Sequence, residues 1–176
     1  RKRSEIDASM KWDLTPIYPD STAMEADLAD CAAMAEKIAA CAGTLSTKEG
    51  LAAALGLTFG AMEKLERASC YAYLNYSLDG GNTAAQEMMA KTQNAGVTLM
   101  TAMSFLEPEM LTIPEEELKA WLDTPELATY RHYVLDVIRA KAHTLDAKGE
   151  AILSQVAKIT GTASDTYDMF TDVEME

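Results

Sequence analysis

Asp79-Gly80-Gly81-Asn82, followed at once by Thr83-Ala84-Ala85-Gln86, is the stretch that decides the fold. Asp-Gly-Gly-Asn is the clearest turn in the chain. Thr83-x-x-Gln86 has the form of a capping box, in which a hydroxyl and a side-chain amide answer free N–H groups at a helix start. A helix is therefore predicted to restart at Thr83 and to reach about Leu106. Before the turn, a second box, Ser46-x-x-Glu49, opens a long helix to about Leu78. Its stripe Leu51, Leu55, Phe59, Met62 and Leu65 continues toward Tyr73 and Tyr76. Gly50, Gly56 and Gly60 each weaken that helix by roughly 1 kcal/mol, and they allow a bend or a close helix contact near Gly56 and Gly60.

Further out the pattern stays helical. Pro16 and Pro19 keep residues 1–20 extended, and Asp20 or Ser21 caps a helix running to Gly43, with Leu28, Cys31, Ala35, Ile38 and Ala42 on one face. Downstream, Thr112-Ile113-Pro114-Glu115 leads into a helix from Glu115 to Asp123. Thr124-Pro125 caps another, whose buried side is marked by Tyr130, Val134, Val137 and Ile138. A last helix is expected from about Asp146 to Thr160 on Ile152, Val156 and Ile159, and after Gly161 a shorter segment passes through Tyr167 and Phe170. No run alternates with period two at strand length. The expected fold is all-α, an elongated antiparallel helical array of about six to eight helices, arranged as an N-terminal segment, 1–20, and one helical domain, 21–176.

Composition bounds the function. The chain has 176 residues, 48% of them hydrophobic, enough for a sizeable core. Fifteen basic against 28 acidic residues give a net charge of −13, which repels nucleic acid and anionic lipid. No apolar run approaches the length that spans a bilayer. Cys31, Cys41 and Cys70 form no Cys-x-x-Cys pair and are too sparse for a disulfide framework, so cytoplasmic residence is expected.

The residues that could carry chemistry each have a plainer role. His132 follows Thr129 and His143 follows Ala140 at the spacing where a bundle metal site would place glutamate. Neither histidine therefore has the neighbour it would need. Glu115-Glu116-Glu117 sits where a helix dipole welcomes acid. Tyr71, Tyr73 and Tyr76 offer apolar area with a hydrogen-bonding tip, useful either in a peptide-binding wall or in a helix seam. The eleven methionines are spread as core filler.

Several motifs nevertheless resemble those of oligoendopeptidase F, a zinc metallopeptidase family related to the thimet-type oligopeptidases. Lys11-Trp12-Asp13-Leu14-Thr15-Pro16-Ile17-Tyr18-Pro19 is similar to its N-terminal signature, and Tyr71-Ala72-Tyr73 with Asp79 to a helix and turn within it. Phe105-Leu106-Glu107-Pro108-Glu109, Trp121-Leu122, Leu127, Tyr130-Arg131-His132-Tyr133 and His143-Thr144-Leu145 follow in family order. Ala142, where the family usually has proline, and Gly149, within a run of helix formers, depart from the pattern.

The resemblance implies the helical, non-catalytic N-terminal part of an enzyme that hydrolyses short peptides, forming one wall of the substrate channel. Tyr73, Tyr76, Arg131 and His132 are the candidate wall residues, and Arg131 has a structural ion pair as its alternative. Zinc and the His-Glu-x-x-His motif that would hold it are expected downstream. That motif is absent from the chain, so no catalytic or metal residue is assigned and the piece alone is expected to be inactive. Its partners would be its own downstream catalytic domain and, for the whole enzyme, oligopeptides. A piece of this kind should also expose apolar surface and self-associate, more so as salt screens its charge. The rival reading is a free-standing helical scaffold that binds other proteins.

Overall fold

The computed structural model describes residues 6–141 together with 166, 167, 170 and 171. His143 and the helix expected from Asp146 to Thr160 lie outside these residues. Every regular element described is helical, as the sequence predicts, and none is long and apolar enough to cross a membrane. The chain divides into two compact units, Arg1–Thr112 and Ile113–Glu176.

The first unit is built on three long helices, α1 (Ser21–Ala39), α2 (Lys48–Leu78) and α3 (Thr83–Met103), followed by a short α4 (Leu106–Met110). Asp20 caps α1 by accepting the Ala23 amide at 2.9 Å. The helix stops at Ala39, short of Gly43, in a series of tight turns that leaves Ala42 exposed rather than on the buried face. Gly43 then takes a left-handed φ of 83°, which a Cβ would oppose.

Both expected capping boxes shift by a residue. Thr47, not Ser46, caps α2 and accepts the Gly50 amide. Asn82, not Thr83, caps α3 by accepting from the amides of Ala84 and Ala85. Gln86 reaches back across the turn to the Gly80 carbonyl at 2.7 Å, so the box glutamine closes the turn.

Residue pairings give the helix directions. Asp27 meets Lys64 and Arg67, and Cys31 meets the Ala61 carbonyl, so α1 and α2 run antiparallel. Ala68 and Ala72 of α2 cluster with Met88 and Met89 of α3, and Ala61 with Leu99, so α3 returns antiparallel to α2 and beside α1. The buried face of α2 keeps Leu51 and Leu55 of the expected stripe and departs from it further along the helix. Leu51, Ala54, Leu55, Thr58, Ala61, Ala68 and Ala72 are buried, whereas Phe59, Met62 and Leu65 are half-buried flanks. Two helices pack along the same face, and small residues let both backbones come close. A Cβ on Gly60 would lie 3.2 Å from the Met34 methyl. The helix passes Gly56 and Gly60 without interruption, so neither is a break, and Gly60 serves the close approach of α1.

Thr58 lies in that seam with its hydroxyl buried and without a hydrogen-bond partner among the described residues. Thr58→Val keeps the shape and removes the orphan donor. It should stabilise the unit by about 1 kcal/mol in urea denaturation, and a loss of stability would show that the hydroxyl is satisfied.

The Phe105–Glu109 motif has a structural role. The Glu109 carboxylate accepts the amides of Gly43 and Leu45, each at 2.8 Å, and so clamps the loop between α1 and α2 to α4. Glu109→Gln removes the charge and leaves one acceptor oxygen for two amides, so one of the two bonds is lost, and it should cost about 2 kcal/mol or more, read as a lower urea midpoint with an unchanged slope. An unchanged midpoint would mean that the loop is held by its own turns.

The second unit contains α5 (Glu115–Trp121), α6 (Pro125–Ala128) and α7 (Arg131–Ala140), with Leu118, Leu122, Leu127, Val134 and Val137 buried. Glu115, Glu116 and Glu117 form the first turn of α5, and Lys119 pairs with Glu115 at 2.7 Å. The sequence suggests one helix after Thr124-Pro125. The chain instead turns at Thr129 and Tyr130 and restarts at Arg131.

Candidate functional site

Among the described residues, a dense polar arrangement lies where the opening segment meets α1 and α2. Asp13 accepts the amide and hydroxyl of Thr15, and Leu14 accepts the amides of Ile17 and Tyr18, so the signature motif curls into a turn that delivers Tyr18 to the bundle. Tyr18 is buried. Its hydroxyl donates to Asp27 at 2.7 Å and accepts from Arg67 Nε at 3.1 Å. The Arg67 guanidinium lies 5.0 Å from the Tyr18 ring centre, and the Tyr71 ring meets Tyr18 edge-on at 5.5 Å. Lys64 donates to Asp27 at 2.6 Å and to Asp30 at 3.1 Å, and Arg67 completes the ring by pairing with Asp27.

The electrostatics follow from these contacts. Lys64, then Tyr18 and Arg67, hold the Asp27 carboxyl well below its ordinary range against the opposing effect of burial. Asp27 and Asp30 raise Lys64, while burial, reinforced by Asp27, raises the Tyr18 phenol. All the charges are matched and Tyr18 has both donor and acceptor roles filled. The cluster is a fastener for the opening segment and not an acid–base centre. Sequence reasoning missed it, although Asp27 with Asp30 on α1 and Lys64 with Arg67 on α2 repeat the same three-residue spacing.

The four candidate wall residues fall into two pairs. Tyr73 and Tyr76 lie one turn apart near the end of α2, Tyr73 59% exposed and Tyr76 half-buried. The Tyr76 ring sits over the Gly80 backbone, where an added Cβ would be 3.7 Å away. Arg131 and His132 open α7 in the second unit. The Arg131 guanidinium donates to the Leu122 carbonyl at 3.0 Å and pairs with Asp123, which is the structural alternative anticipated for it. His132 is exposed and lies 3.4 Å from Asp136.

Between α1 and α3 runs a shallow groove of about 410 Å³ lined by Glu25, Leu28, Ala29, Lys91, Asn94 and Ala95. Lys91 is tied there to Glu25 at 2.7 Å and to Glu87 at 2.9 Å. Cys31 is buried, and burial raises its thiol. No group of three His, Cys, Asp or Glu able to hold a metal ion occurs among the described residues.

The chain is similar in sequence and fold to several known proteins. A family model described as Oligopeptidase F matches residues 109–176. The chain is 27% identical to "Oligopeptidase PepF" of Bacillus subtilis over 98% of its length, which spans 26% of that protein. It is 26% identical to "Oligoendopeptidase F, plasmid" of Lactococcus lactis subsp. cremoris over 100% of its length, 30% of that protein. The chain thus spans less than a third of the curated relatives it matches. The crystal structure of oligoendopeptidase-F from Enterococcus faecium shares the fold at a TM-score of 0.75 and 23% identity, over 89% of this chain and 31% of that one.

Proposed function

We infer that this chain, an oligoendopeptidase F family N-terminal region, supplies one helical wall of the substrate channel in a longer zinc-dependent oligoendopeptidase acting on short peptides in the cytoplasm. One observation carries the reading: similarity to peptidases extends over nearly all of the chain yet occupies about a quarter of a relative's length. The chemistry then resides in the remainder.

Zinc fits no three-ligand set among the described residues. When bound downstream it would supply an activated water and polarise the scissile carbonyl. What this region contributes is access. Tyr73 and Tyr76 offer flat apolar surface and a hydroxyl tip to an extended peptide, and His132 offers an exposed imidazole. Arg131, already committed to Leu122 and Asp123, acts by holding the start of α7. A narrow channel admits an unstructured peptide and excludes a folded protein, so selection is by size.

The test compares the 176-residue chain with the longer protein on peptides of increasing length. The longer protein should cleave short peptides, lose activity to a chelator and leave folded proteins intact. The chain alone should cleave nothing and retain no stoichiometric zinc after dialysis. Tyr73→Ala and Tyr76→Ala should relax the length limit more than they alter the specificity constant for the shortest substrate. Chelator-insensitive cleavage, a tightly held zinc in the chain alone or efficient digestion of a folded protein overturns the reading. Unchanged length dependence in both variants returns the tyrosines to a packing role.

A further inference from the structure

The outward stripe of α3 is unlike that of its neighbours. Gln93, Val97, Met100, Thr101 and Ser104 follow one another at helical spacing and are all exposed, Val97 at 68% and Met100 at 64%. No charged residue lies between Lys91 and Glu107, in a chain where 24% of residues are charged. By contrast, α1 exposes Glu25, Asp30, Glu36 and Lys37, and α2 exposes Glu63, Glu66 and Arg67.

The hydroxyls on and beside the stripe are already satisfied. Thr98 donates to the Asn94 carbonyl at 3.0 Å, Thr101 to Val97 at 2.8 Å and Ser104 to Thr101 at 2.9 Å. These bonds turn polar side chains back onto their own helix, so covering the face strands no hydroxyl donor. A surface that stays in water gains nothing from this, whereas one that is to be dried does. Gln93 remains as the polar rim that an interface keeps at its edge.

We propose that this stripe of α3 is a dry docking face covered by the downstream catalytic portion of the same polypeptide, an inference that rests on the function proposed above. Two facts favour that occupant. A second copy would bring another net charge of −13 against the first, which opposes association, while a covalently attached portion needs no encounter. The relatives carry more than twice this chain's length in additional residues, enough to cover a helix face.

The experiment uses a background in which Cys31, Cys41 and Cys70 are replaced by alanine and compares Met100→Cys with Glu66→Cys on the outward side of α2. Maleimide labelling is followed at low protein concentration in the 176-residue chain and in the longer protein. Met100→Cys should label as fast as Glu66→Cys in the chain alone and roughly tenfold or more slower in the longer protein. Equal rates in the longer protein overturn the proposal. So does slow labelling in the chain alone, which would place the cover within residues 1–176. Protection that appears only as the longer protein is concentrated assigns the face to a second copy and likewise overturns it. Peptidase activity on the same sample separates the two readings. An active, chelator-sensitive enzyme with an open thiol refutes the docking face alone, and loss of the peptidase reading is seen in the activity whatever the thiol does.

Discussion

Gly50→Ala is expected to destabilise the first unit by about 3 kcal/mol or more, although the same change in an open helix stabilises by about 1 kcal/mol. Gly50 stands in the first turn of α2, directly under the loop that enters it. A Cβ there would lie 2.0 Å from the Thr44 carbonyl oxygen, 2.9 Å from its carbon and 3.0 Å from the Thr47 hydroxyl. The nearest obstacles are backbone, so the loop itself must move. Moving it disturbs the Thr47 cap and the neighbouring amides that Glu109 holds. Equilibrium urea denaturation followed by helical circular dichroism measures the loss, and a neutral or stabilising Gly50→Ala would show that residues 44–47 yield without cost.

Asp27→Ala should cost about 2–3 kcal/mol. Removing one member of a fully buried ion pair costs more, but Lys64 and Arg67 are partly exposed and water repays part of the loss. Tyr18 would lose the acceptor for its hydroxyl, and the opening segment should loosen with it, read as faster proteolysis near Trp12. The dependence on pH has a fixed sign. The folded carboxyl is held below its unfolded value, so its contribution is complete above about pH 4 and drains away as pH falls toward the depressed value. Wild type should therefore lose its advantage over Asp27→Asn on acidification, and a difference between the two that is constant from about pH 6 to pH 2 would remove the charge from the account.

The fold was legible where its signals are local. The Asp79–Asn82 turn, the proline at the start of α6 and the acidic first turn of α5 each depend on a few adjacent residues, and each lies where expected. The caps slipped by one because Ser46 competes with Thr47, and Thr83 with Asn82, for the same amides, and the loop geometry that settles the competition is not local. Periodicity in α2 gave a face of large residues, but a helix touched by two neighbours buries the side where both fit. The Tyr18, Asp27, Lys64 and Arg67 cluster depends on which turns of α1 and α2 lie opposite each other. That register becomes visible only once the helices are paired.

The Glu109 clamp also bears on the order of events in folding. Its two bonds join residues 66 and 64 positions apart, whereas the helix hydrogen bonds beneath them form over single turns. Closing so long a segment costs more chain entropy than closing a helical turn and is repaid only when α4 is in place. The clamp therefore belongs to the far side of the folding barrier. Glu109→Gln should leave the refolding rate nearly unchanged and appear almost wholly as faster unfolding, making this carboxylate a determinant of how long the native unit persists rather than of how quickly it is reached.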